Sequence, residues 1–115
     1  MPYINVKTNA EISKKIEVSL KDKIARAMEE SFPGKTENWL MLDFADQCHL
    51  YFRGDGEQAA AMLEVKIFGS ASDDAYDRLT AALTEIMTEE LQIPADHVYV
   101  KYEEVEHWGW NGGNF

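Results

Sequence analysis

Residues 60–68 read AAMLEVKIF. In an extended chain Leu63, Val65 and Ile67 fall on one side and Glu64, Lys66 and Phe68 on the other. That period-two pattern is a strand with one well-buried face. Ser72 follows as a helix N-cap, and residues 73–91 put Tyr76, Leu79, Leu83, Ile86 and Met87 on one helical stripe. After QIPAD, a second strand is predicted over 97–104, HVYVKYEE. Strand, helix and strand in this order make a βαβ unit.

The N-terminal half repeats the order. Residues 2–8, PYINVKT, alternate as a strand with Ile4 and Val6 on the apolar side. A helix within 13–31 carries Leu20, Ile24, Ala27 and Met28 at helical spacing, and FPGK at 32–35 stops it. Another strand is predicted over 37–45, ENWLMLDFA, and HLYFRGDG at 49–56 reads as a short strand into a turn. Arg53-Gly54-Asp55 is read as part of that turn rather than as a recognition tripeptide. The expected fold is α+β: one domain over 1–115, with two right-handed βαβ units sharing a sheet and both helices on one face. The other face, with Tyr3, Asn5, Glu64, Lys66, Phe68, Tyr99 and Lys101, is too mixed for a solvated surface. We expect further copies of the chain to cover it.

Composition narrows the function. The net charge of −10 opposes nucleic acid, which needs a basic stripe. Any anion site must be built from local cations, since charges beyond about 8 Å are largely screened at physiological salt. Cys48 is the only cysteine, so no disulfide or Cys-x-x-Cys redox pair forms within the chain. His49, His97 and His107 lack metal-ligand spacing, and no metal or other cofactor is expected. No apolar run reaches a membrane span and the start lacks a signal layout, so the expected location is cytoplasmic.

Five features carry a family likeness. They are the Met1-Pro2 start, Gly34-Lys35 after the first helix, KIFG at 66–69, IPADHVYVKY at 93–102 and GWNGGNF at 109–115. In this order and at these distances they resemble the tautomerase superfamily, in its macrophage migration inhibitory factor and phenylpyruvate tautomerase branch. The resemblance implies a four-stranded mixed sheet with two helices, assembled as a homotrimer with pockets between subunits. It also implies keto–enol tautomerisation of a 2-oxo acid such as phenylpyruvate. A second expectation is a cytokine-like binding role with a receptor partner, in which the activity is vestigial.

Position by position, the resemblance makes Pro2 the general base after removal of Met1. A neutral secondary amine accepts a proton; desolvation or a nearby cation lowers its pKa toward ambient pH. Lys35 is implied as the carboxylate binder, the Phe68 backbone N–H as a substrate contact, and Tyr99 as a hydroxyl donor from a neighbouring subunit. Tyr3, Trp110 and Phe115 are the expected pocket walls. Lys101 stands where animal relatives carry asparagine; it either meets substrate, acts on Pro2, or pairs with Glu64 or Glu103. The spacing from Lys101 to Gly109 is short for the family, so His107 and Trp108 are not carried over. The family's Cys-x-x-Cys is missing, and thiol oxidoreductase activity is not implied.

Overall fold

A computed structural model describes residues 1–115. The strands are β1 (Pro2–Thr8), β2 (Met41–Ala45), β3 (Ala61–Phe68) and β4 (Val98–Val105). They form one mixed sheet in the order β2-β1-β3-β4. β1 runs parallel to β2, and β3 parallel to β4, each pair joined through a helix. The two units meet at the antiparallel β1–β3 pair, where Pro2 opposes Ile67 and Ile4 opposes Val65. The helices are α1 (Lys14–Ser31) and α2 (Asp73–Leu91). The predicted pair of βαβ units is therefore the observed one.

The core lies between the helices and one sheet face. Ile4, Val6, Leu63, Val65 and Ile67 are buried there against Leu20, Ile24, Met28, Leu79, Leu83 and Met87. Val98 and Val100, on the edge strand, are half-buried against the same cluster. No helix is long and apolar enough to cross a membrane.

Both helices start where their serines cap them. Ser13 Oγ accepts the Ile16 N–H at 3.3 Å, and Ser72 Oγ accepts the Ala75 N–H at 3.1 Å. Each satisfies a donor that the first helical turn would leave unpaired. Ser72→Ala is expected to destabilise the fold by about 0.5–2 kcal/mol in urea titration. A change below about 0.3 kcal/mol would show that water replaces the cap at no cost. α1 ends at Ser31; the N–H of Phe32, which follows it, donates to Met28 O, and Gly34 then turns the chain at φ +94°.

Two expected strand segments differ. Residues 37–39 are a 3-10 turn, and β2 begins only at Met41. β1 offers no ladder partner before Tyr3, which opposes Met41, so the preceding residues close i→i+3 bonds on themselves. The segment 49–56 forms no strand beyond an isolated Phe52–Asp55 bridge. Arg53 and Gly54 both have positive φ (54° and 77°), the signature of a type I′ turn. Its charged ends are engaged: Arg53 pairs with Asp96 at 3.3 Å, and Asp55 accepts the Glu57 N–H at 2.7 Å.

Past β4 the tail folds into a hairpin of β5 (Gly109–Trp110) and β6 (Gly113–Asn114). Asn111 and Gly112 take the positive φ that its two-residue turn requires. The Phe115 N–H donates to Trp108 O at 3.0 Å and closes the tail on itself.

Candidate active site

Pro2 begins β1 and is buried. A first strand residue is where proline's missing N–H does least harm. It lines a cavity of about 510 Å³ with mostly apolar walls: Met1, Tyr3, Trp39, Leu40, Met41, Trp108 and Trp110, with Asn38 and Lys66 as polar members. A larger hollow, about 720 Å³, lies at the 47–57 loop. Its walls are mainly polar and open to water, so it lacks the dry setting that shifts pKa values.

One hydrogen bond organises the Pro2 site. The Phe68 N–H donates to Met1 O at 3.1 Å. Phe68 is the last residue of β3, one beyond the residue that opposes Pro2. The bond places this backbone donor on the carbonyl of the residue that precedes Pro2. The chain-terminal amine already feels the local field. Burial pushes its pKa down, and the Lys35 charge pushes it further the same way. Lys35 is half-buried after the α1 stop, where its own N–H donates to Phe32 O at 3.0 Å. It has no carboxylate within ion-pair distance; nor has Lys66.

Of the expected wall residues, Tyr3 and Trp110 line the cavity directly. The Tyr3 hydroxyl is committed elsewhere: it donates to Asp43 at 3.0 Å, which raises the phenol pKa, burial adding to the effect. Lys66 Nζ sits 5.7 Å above the Tyr3 ring. Phe115 and Phe68 are not among the cavity's lining residues. Phe115 stacks on Trp110 (6.1 Å between centroids, 18° between planes) and meets Phe68 at 5.7 Å.

Tyr99 and Lys101 do not reach this cavity within one chain. Tyr99 opposes Met62, five residues down β3 from Ile67, a separation of roughly 16 Å along the strand. Both side chains are exposed on the outer sheet face. Lys101 pairs with Glu103 at 3.0 Å, which raises the lysine pKa and lowers that of the glutamate. Of the alternatives open in the sequence, the ion pair with Glu103 is the arrangement present in the isolated chain.

Sequence reading missed Trp39 and left out Trp108, and both line the cavity. Trp39 meets Trp110 edge-on at 5.1 Å and 72°. In the predicted strand Trp39 alternated with Leu40 and carried no signal of its own. The 3-10 turn is what brings it to the Pro2 cavity.

Residues 1–115 match the sequence profile of the family described as Macrophage migration inhibitory factor (MIF). The chain is 29% identical over 108 residues to the MIF-like protein mif-2 of Caenorhabditis elegans, covering 91% of this chain and 85% of that one. It is 25% identical over 120 residues to the macrophage migration inhibitory factor of Xenopus laevis, covering 100% and 99%. Its fold superposes on MIF2 of Leishmania major with a TM-score of 0.92 at 28% identity, covering 100% of this chain and 97% of that one. With the whole chain matched, and a buried proline at the start of β1 beside a backbone donor, this protein belongs to the macrophage migration inhibitory factor family, within the tautomerase superfamily.

Proposed function

We propose that this protein is a keto–enol tautomerase of 2-oxo acids such as phenylpyruvate, working as a homotrimer with Pro2 as general base after Met1 is removed. The observation that carries this reading is the Phe68 N–H bonded to Met1 O beside buried Pro2. Losing one residue creates a secondary amine and frees an oxygen-binding donor at the same place.

The chemistry is a proton shift with no redox change. The neutral Pro2 nitrogen takes a proton from the carbon next to the substrate's carbonyl. Electrons move onto the carbonyl oxygen, where the Phe68 N–H stabilises the growing charge. Protonated Pro2 then returns the proton to that oxygen, giving the enol; ketonisation is the reverse. Lys35 supplies a point charge for the carboxylate. The aromatic walls, Trp39, Trp108 and Trp110, suit an aryl substituent. Tyr99 serves the pocket of an adjoining copy, which its exposure and distance from its own Pro2 support. The half-buried outer sheet face, with Met41 69% exposed in the single chain, supports such a neighbour.

The base works only when neutral. Activity is therefore present above the amine's pKa and lost as pH falls through it. Burial and Lys35 both lower the pKa of the chain-terminal amine one residue away, which supports a lowered value for Pro2 once it becomes the terminus. Ultraviolet monitoring of phenylpyruvate enol ketonisation tests the reading. Lys35→Ala is expected to raise KM about tenfold or more, the usual worth of a charged hydrogen bond. Its acid limb is expected to move to higher pH. A wild-type rate no faster than the buffer-catalysed one would end the proposal.

A further inference from the structure

Tyr99 is 61% exposed, yet its ring is not free. Phe52 meets it edge-on, at 5.2 Å between centroids and 87° between planes. Phe52 comes from the type I′ turn of the 49–56 segment, and it is itself clamped. The His97 ring lies 5.2 Å away, and the Arg53 guanidinium lies over the Phe52 ring at 4.9 Å. Both clamps are anchored in turn. His97 Nδ1 is 3.2 Å from Ala59 O, which accepts its proton in that tautomer, and Arg53 is tied to Asp96 at 3.3 Å.

A tyrosine on an edge strand facing open space samples several χ1 wells. An edge-to-face partner favours one of them, because the positive ring edge meets the negative ring face. From this arrangement we infer that Phe52 is a positioning residue for the tautomerase site: held by His97 and Arg53, it fixes the Tyr99 ring in the orientation that delivers its hydroxyl to the adjoining copy's pocket. The inference rests on the reading of Tyr99 given above. It also gives the Arg53-Gly54-Asp55 turn a purpose. The turn's tightness sets Phe52 against Tyr99 of β4 and Arg53 against Asp96 just before it, and Gly56 leaves room for Tyr51, whose ring would lie 3.0 Å from an added Cβ.

The effect belongs to kcat rather than KM, since Phe52 orients a donor and does not itself hold substrate. Five proteins test it by enol ketonisation: wild type, Tyr99→Phe, Phe52→Leu, the double variant of these two and Phe52→Tyr. Phe52→Leu is expected to lower kcat about three- to tenfold, the worth of one aromatic pair, with KM nearly unchanged. In the Tyr99→Phe background the same substitution is expected to have no further effect, because there is no hydroxyl left to place. Phe52→Tyr keeps the ring and is expected to retain the wild-type rate, which separates orientation from loop damage. If the single losses multiply in the double variant, or if Phe52→Leu matches wild type while Tyr99→Phe is impaired, the inference falls and the Tyr99 reading stands. If Tyr99→Phe itself matches wild type, both fall.

Discussion

Protein that retains Met1 is expected to ketonise phenylpyruvate enol at least about 10²–10⁴-fold more slowly than the processed chain, the usual contribution of a general base. Two separate losses act. With Met1 attached, the Pro2 nitrogen is an amide nitrogen whose lone pair is delocalised, and it cannot take a proton. In addition Met1 O holds the Phe68 N–H at 3.1 Å, so the donor for the growing oxyanion is already spent. Met1 also forms part of the cavity wall. The fold is no obstacle to the comparison, because it forms with Met1 in place. Protein made while methionine aminopeptidase is inhibited, checked by intact mass and then treated with that enzyme, gives the test. Activity is expected to appear in step with loss of one methionine. Full activity in the unprocessed protein would mean that Pro2 is not the base.

The second large effect is on stability. Leu63→Ala is expected to cost about 2–5 kcal/mol in urea unfolding. Leu63 is fully buried at the middle of β3, an inner strand of the sheet, facing the helices. The lost side chain forfeits its transfer energy and leaves a hole that α1 and α2, packed on each other, fill only in part. For a domain whose whole stability is about 5–15 kcal/mol, this approaches unfolding. A loss under about 1 kcal/mol would show that the helices settle onto the sheet and close the hole. Glu29→Gln, exposed on α1 away from the sheet, is expected to stay within about 0.5 kcal/mol, as surface changes do.

How legible the molecule was varies with the kind of signal. β1 and β3 were readable because Ile4, Val6, Leu63, Val65 and Ile67 alternate with polar neighbours, and alternation is itself the burial pattern of a half-covered sheet. The helix starts were readable because Ser13 and Ser72 act on residues three positions ahead. Residues 37–40 were not. They alternate well enough, but strand formation needs a partner, and β1 has none to offer before Tyr3. The tail hairpin shows the same limit: its aromatics were visible, while Asn111-Gly112 as its turn depends on Trp110 finding Gly113.

The site divides along the same line. Pro2, Lys35, Phe68, Tyr99, Trp110 and Phe115 could be named as candidates only through the family resemblance, which carries each of them by its place in a matching motif. Trp39, Trp108 and Phe52 could not, since each owes its position to residues remote in the chain: Trp110, the Pro2 cavity and the Tyr99 ring. Periodicity, capping and breakers are local, and from these the sequence by itself determined two βαβ units, their helix limits and which sheet face is apolar. Cavity walls, the Phe68 N–H on Met1 O and the clamp around Phe52 join groups dozens of residues apart. Only the tertiary structure decided those, because the short-range forces that make them act between neighbours in space, whatever their separation along the chain.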